Sequence, residues 1–309
     1  MPMENPVKNR ARPAPLAAAL VLALLAAPAL SQDYSKVEIK TTRVAEGVYA
    51  LQGAGGNIGL VVGSDRAFVI DDQYAPMAPK ILAAIRAVTD KPVSFVLNTH
   101  WHGDHTGGNE AMAAEGALLV AHDNARKRLS AGQFMEFFGS QVPPAPDAAL
   151  PVVTFNDQVS FHLGGHTVSA IHVANAHTDG DAVVRLAEAD VIHCGDIVFH
   201  GLYPFIDYGS GGSLAGMAAG VERILALSGD ATRFIPGHGG PVLDRAQLGE
   251  YLSMLRTVHG RIESMIREGK TLEAAVAAKP TAEFDAKWGQ GFLPADKWVE
   301  LNYRGMAKP

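Results

Sequence analysis

The run from His100 to His105 constrains this chain more than any other part of the sequence. It reads His-Trp-His-Gly-Asp-His and comes shortly after the apolar run Val93–Leu97. On an extended segment, His100 and His102 point to the same side. The glycine then lets the chain bend, so that Asp104 and His105 point elsewhere. One segment therefore offers two nitrogens to one metal ion, and an oxygen and a nitrogen to another, and these are zinc ligands.

The run alone does not complete a metal site. A catalytic zinc ion takes about three protein ligands and leaves one position for water. Three further candidates lie in glycine-bearing loops at the ends of predicted strands, where sites tend to be built. They are His177 in Ala-His-Thr-Asp-Gly-Asp, Asp196 in Cys-Gly-Asp and His238 in Pro-Gly-His-Gly.

Apolar runs and helical spacing predict an α/β (α+β) chain in which strands and then strand–helix units occur twice. The pair Gly164-Gly165 indicates a hairpin. Helical spacing predicts helices over Asn124–Phe138 and Ala246–Arg267. No polar linker marks a domain boundary, so residues 32–309 are predicted to form a single domain. Two sheets should lie inside and helices outside, with a helical tail from about residue 281.

The first 31 residues are predicted to be a secretory signal peptide. Lys8, Arg10 and Arg12 precede the apolar stretch Leu16–Ala27, and small residues follow it, so cleavage is expected near Ser31/Gln32. A retained membrane anchor is the alternative. Cleavage predicts a periplasmic or secreted protein without stable membrane association.

Charge and cysteine content narrow the partners of the chain. The formal net charge is −6, and nucleic-acid binding needs a basic footprint, so nucleic acid is not an expected partner. A small-molecule substrate is expected instead. Cys194 is the single cysteine, which excludes an internal disulfide. The oligomeric state does not follow from the sequence.

Taken in order, the four motifs resemble the metallo-β-lactamase superfamily over residues 37 to 260. The resemblance implies a four-layer αβ/βα sandwich, with two mixed β-sheets packed face to face and helices outside. It also implies two Zn²⁺ per chain, held by seven side chains. The first ion would be bound by His100, His102 and His177, the second by Asp104, His105 and His238, and Asp196 would bridge them.

The implied chemistry is hydrolysis by a metal-bridging hydroxide that attacks a carbonyl, since paired ions acidify a shared water. Asp104 would act as the catalytic residue that orients this nucleophile. The first expected substrate is a β-lactam. An ester, lactone or thioester, as in hydroxyacylglutathione hydrolases, is the alternative. An iron-dependent oxygenase of the same superfamily and a non-catalytic zinc module are further options.

Two positions bear on the substrate. Some lactamases of this superfamily carry a Cys ligand and, three residues later, a Lys that binds the carboxylate of the drug. In this chain Asp196 and Phe199 stand at those positions, whereas Cys194 lies two residues before the ligand position. The sequence therefore predicts the chemistry more sharply than the substrate.

Overall fold

The computed structural model describes Met1 and residues 33–308. Apart from Met1, the predicted signal peptide lies outside the described residues. Residues 34–309 form one compact unit. None of the helices in the described part of the chain is both long and apolar enough to cross a membrane.

The strands of the described residues, in chain order, are β1 Lys40–Ala45, β2 Val48–Gln52, β3 Ile58–Val62, β4 Ala67–Ile70, β5 Val93–Asn98, β6 Leu118–His122, β7 Gln133–Met135, β8 Ser140–Val142, β9 Val153–Phe155, β10 Gln158–Leu163, β11 His166–His172, β12 Ala182–Leu186, β13 Val191–His193, β14 Phe199–His200, β15 Arg233–Ile235 and β16 His238–Gly239. The helices are α1 Ala78–Val88, α2 Gly103–Thr106, α3 Asn109–Ala114, α4 Asp123–Ala131, α5 Leu214–Ala226, α6 Arg245–Arg267, α7 Leu272–Ala277, α8 Asp285–Trp288 and α9 Ala295–Ala307.

Two mixed sheets form the centre of the fold. The larger has the order β1-β2-β3-β4-β5-β6-β9, antiparallel up to β4 and parallel from β4 to β9. The smaller has the order β10-β11-β12-β13-β15, and only its last pair is parallel. Two short ribbons, β14–β16 and β7–β8, lie outside these sheets.

The sheets pack face to face, because a strand buries every second side chain against its partner sheet. One apolar cluster joins Phe68 and Leu97 of the larger sheet to Val168 and Val184 of the smaller. The outer face of the larger sheet packs against α1 through Ile81. On the smaller sheet, a third cluster contains residues of α5 and α6. The predicted four-layer sandwich is confirmed.

Helix α6 is the longest helix of the described residues and has a clear local cause. A capping box of Asp244 and Gln247 satisfies its first amide groups. Its apolar side chains, among them Leu248, Leu255 and Val258, recur at helical spacing and are buried. The tail beyond residue 281 contains α8 and α9, and Trp298 of α9 is fully buried in the same cluster as α6.

The predicted helix over Asn124–Phe138 is wrong in its second half. Helix α4 ends at Ala131, and Gly132 follows with a φ of 68°. That left-handed region favours glycine and leaves the helical path. The next residues form the ribbon β7–β8 instead, with a left-handed turn at Gly139.

Candidate metal centre

The structure brings all seven predicted ligand residues together in two adjacent groups. The first ligand group contains His100, His102, His177 and Asp196, and the second contains Asp104, His105 and His238. Within each group, one donor atom of every residue lies within 4.8 Å of the others.

The local chain path explains how one run serves both groups. His102 has an extended ψ of 145° and is followed by the single helical turn α2. His100 and His102 therefore face one way, as the spacing predicted, whereas Asp104 and His105 leave on the turn. The other ligands lie in the segments that follow β11, β13 and β15, and His238 is the first residue of β16.

The three imidazoles of the first group converge on one point. His102 Nδ1 lies 3.1 Å from His100 Nε2 and 2.9 Å from His177 Nε2. Nitrogens that share a zinc ion at about 2.0–2.1 Å lie at separations of this order. The three rings are nearly perpendicular to one another, which lets each lone pair point to a common centre.

The outward nitrogens of the same three imidazoles are held by hydrogen bonds. His177 Nδ1 donates to the carbonyl of Phe205 over 2.8 Å. His102 Nε2 lies 3.0 Å from the carboxylate of Asp207, which is buried. Such partners fix the ring orientation and leave the inward nitrogen free for a metal. Sequence reasoning missed Asp207, because no motif includes it.

The carboxylate of Asp71 holds one histidine of each ligand group through hydrogen bonds. It accepts hydrogen bonds from the Thr99 hydroxyl over 2.8 Å and from His105 Nδ1 over 2.8 Å. Because that hydroxyl donates to Asp71, it accepts from His100 Nδ1, 3.1 Å away. Both His100 and His105 therefore keep Nε2 for the centre.

The second group is more open than the first. His238 Nε2 lies 3.2 Å from Asp104 Oδ2 and 3.2 Å from His105 Nε2. The side chains of Asp104 and His238 keep 20% and 21% of their surface exposed, whereas His105 is fully buried. Solvent or a substrate can therefore reach the centre from the side of this group.

Asp196 lies between the two groups. Its Oδ2 is 3.5 Å from His177 Nε2 and 3.3 Å from His238 Nε2, and its Oδ1 is 3.1 Å from His105 Nε2. Oδ1 is buried and accepts no hydrogen bond among the described residues. A buried carboxylate oxygen without a donor is costly unless a cation binds it. The residues present therefore fit a pair of divalent cations.

The pKa shifts of the histidines differ between the two ligand groups. Burial lowers the pKa of His177 to about 4 and also holds the pKa of His100 well below its usual value, so both favour the neutral form that binds metals. Burial opposes the charge of His238, but Asp196 and Asp104 raise its pKa to about 9. For Asp196 itself, burial is outweighed by the neighbouring histidines, and its pKa lies well below the usual range.

Two glycines allow this crowding. A Cβ atom at Gly56 would lie 2.1 Å from the ring of His105, and one at Gly237 would lie 2.1 Å from Asp196 Oδ1. Both distances are far below van der Waals contact, so a side chain at either position would displace a ligand.

Cys194 and Phe199 are both packed in the apolar core. Cys194 is fully buried in the core beside the smaller sheet, and burial raises the pKa of its thiol. Phe199 is also buried, and its ring stacks on His238 at a centroid distance of 5.0 Å. The position where some lactamases carry a substrate-binding Lys is therefore an apolar support for a ligand.

Comparisons with known proteins agree with this architecture. The family model described as "Metallo-beta-lactamase superfamily" matches residues 51–260. A hydroxyacylglutathione hydrolase of Nitrosococcus oceani is 29% identical over 147 residues, which are 47% of this chain and 48% of that protein. The chain thus spans about half the length of this relative. An atrochrysone carboxyl ACP thioesterase of Aspergillus chevalieri is 26% identical over 251 residues, covering 78% of this chain and 70% of the thioesterase.

Solved structures show the same fold. A metallo-β-lactamase from Pontibacter korlensis has a TM-score of 0.58 at 22% identity, covering 71% of this chain and 99% of its own. The family match includes all seven predicted ligands, the whole smaller sheet and the larger sheet from β3 onward. The chain is therefore a member of the metallo-β-lactamase superfamily, with a hydrolase fold and a His/Asp cluster suited to divalent metals.

Proposed function

We propose that this protein is a dinuclear zinc hydrolase that cleaves the acyl–sulfur bond of a thioester. The observation that carries the hydrolase assignment is the position of Asp196 between two ligand groups, with a buried oxygen that lacks a donor. One ion would be held by His100, His102 and His177, and the other by Asp104, His105 and His238.

Bound zinc ions would supply Lewis acidity, which polarises a carbonyl and lowers the pKa of water. The side chains of this centre would orient the attacking water. Asp104 is partly exposed at the open group and can accept a hydrogen bond from the attacking water, which orients it. In this reaction the water oxygen would bond to the acyl carbon and the carbon–sulfur bond would break. One water proton would go to the departing sulfur, so that the products are a carboxylic acid and a thiol.

Two observations favour a thioester over the β-lactam expected first from the sequence. Phe199 packs on His238 at the position where some lactamases carry a Lys that binds the carboxylate of the drug. The similar proteins include an ACP thioesterase whose match covers 78% of this chain. β-Lactam hydrolysis, the iron oxygenase and export to the periplasm stay predictions.

A substrate panel tests the proposal. Hydrolysis of a thioester, a lactone and a chromogenic β-lactam is measured with the zinc-loaded protein, and chelator-treated protein serves as the blank. We expect kcat/KM for the thioester to exceed the other two by about tenfold or more, the rate equivalent of roughly 1.4 kcal/mol. Faster turnover of the β-lactam would refute the thioesterase and support the β-lactam hydrolase expected first from the sequence. No hydrolysis of any member would contradict a hydrolase.

Two further measurements complete the test. Metal analysis should find close to two zinc ions per chain, whereas a single iron would support the oxygenase. Asp104→Asn should lower thioester turnover by about a hundredfold, because an amide orients water less well. Asp65→Asn is the matched control, since Asp65 is exposed and pairs with its neighbour Arg66.

A further inference from the structure

The ribbon β7–β8 and its turn expose three phenylalanines. The exposed fractions are 60% for Phe134, 36% for Phe137 and 49% for Phe138. Large apolar side chains grouped at a surface commonly mark a binding site.

Two of these rings continue an apolar path that starts at the metal centre. Phe205 lies 6.0 Å from the ring of His102 and 5.9 Å from that of His177, between centroids. Phe137 and Phe138 lie 5.7 and 5.0 Å from Phe205. Aromatic contacts therefore run without interruption from the first ligand group to the ribbon.

A cavity of about 810 Å³ lies beside this path. Its walls include Phe137 from the ribbon, Phe205 and Tyr208 from the segment after β14, and Leu301 and Ala307 from α9. This volume falls within the range of small-molecule sites, which is about 300–1,000 Å³. The cavity therefore has the size of a ligand site and reaches a residue that contacts the ligand histidines.

The charged residues that line the cavity have partners. Asp207 lies 3.0 Å from His102 Nε2, and the others pair among themselves. Lys297 and Arg304 both contact Glu300, at 3.0 and 2.9 Å. Lys308 pairs with Glu136 over 2.7 Å and joins the end of α9 to the ribbon. Because these charges already have partners, the cavity offers its occupant apolar surface in preference to an ionic contact.

We propose that this cavity binds the apolar acyl chain of the substrate, so that the protein prefers medium-length acyl thioesters to acetyl thioesters. The inference rests on the proposed function, because the acyl group is one side of the bond that is cleaved. Phe205 would guide the chain from the centre toward Phe137.

Matched substrates that share one thiol isolate the contribution of the acyl chain. We compare octanoyl and acetyl thioesters of N-acetylcysteamine with the zinc-loaded protein. Each buried methylene contributes about fourfold to binding, so we expect octanoyl kcat/KM to exceed acetyl kcat/KM by at least about tenfold. Equal values for the two substrates would overturn the inference while leaving the hydrolase intact.

Two variants test the walls from opposite sides. Phe137→Ala removes a wall, and Ala307→Trp fills the cavity from the exposed end of α9. Each should lower octanoyl kcat/KM by roughly five- to tenfold and change acetyl kcat/KM by less than about twofold. Phe134→Ala is the control, because this ring lies on the same ribbon but outside the walls of the cavity. An equal loss in Phe134→Ala would overturn the assignment.

A binding measurement separates this inference from the proposed function. Dansyl-undecanoic acid should bind the chelator-treated protein, be displaced by octanoate, and bind at least about fivefold more weakly to Ala307→Trp. Absence of thioester turnover together with this binding pattern would refute the thioesterase and support the cavity. Failure of the dye to bind wild-type protein would refute the cavity.

Discussion

The two ligand groups differ in how firmly the protein holds them. In the first group, all three histidines are buried, and each outward nitrogen has a hydrogen-bond partner. In the second, Asp71 holds the outward nitrogen of the buried His105, whereas Asp104 and His238 reach solvent. The protein thus pairs a closed, oriented group with an open one.

This difference suggests a division of roles. Oriented, buried ligands lose little freedom when an ion binds, so the first group should bind its ion more tightly. Open ligands leave room for water and for the leaving group. We therefore expect the closed group to retain its metal and the open group to receive the substrate.

Removal of one ligand from each group gives the largest expected effect. His102→Ala should lower turnover by roughly a thousandfold, because charge stabilisation by the first ion is worth several kcal/mol. His238→Ala should lower it by about ten- to a hundredfold, since the closed group stays intact. Steady-state kinetics with metal analysis of each variant provides the measurement.

Circular dichroism supplies the control for both variants, because each should retain its folded spectrum. Full metal content and full activity in His102→Ala would contradict its place in the centre. If His238→Ala were the more damaging substitution, the assigned order of the two groups would be reversed.

A smaller effect is expected from the carboxylate behind the first group. Asp207→Asn keeps the shape of the side chain but weakens its hydrogen bond with His102. Loss of such a partner typically lowers metal affinity by about ten- to a hundredfold. Competition with a chromophoric chelator measures this affinity without recourse to activity.

Asp190→Asn is the matched control, because this residue is exposed and its carboxylate bonds Thr232, away from the centre. Unchanged affinity in Asp207→Asn would show that burial alone orients His102. An equal decrease in Asp190→Asn would assign the effect to net charge.

The sequence identified the seven residues that the structure brings together, because they occur in compact motifs. The run from His100 to His105 depends only on strand periodicity and one glycine, both of which are local properties. His177, Asp196 and His238 each follow a strand, and strands that end at the same edge bring their loops together. The two sheets could also be predicted from the sequence, because their strands are apolar runs.

Other parts depend on contacts distant in sequence. Asp207 lies in an irregular segment 105 residues after His102, and nothing in its neighbours indicates that its carboxylate reaches the histidine. The ribbon β7–β8 has strands of three residues each, too short for an alternating pattern, and helical spacing continued through them. The positive φ of Gly132 ends the helix before them.

Stepwise removal of metal tests whether the closed and open ligand groups differ in metal affinity. If the closed group binds more tightly, increasing chelator should first reduce the content from two ions to one, and only later to none. We expect the two dissociation constants to differ by about tenfold or more, as oriented ligands gain affinity over open ones. Asp207→Asn should narrow this gap, because it weakens the tighter site alone. Release of both ions in a single step, in the wild type as in Asp207→Asn, would show that Asp196 couples the groups so strongly that they bind metal as one unit.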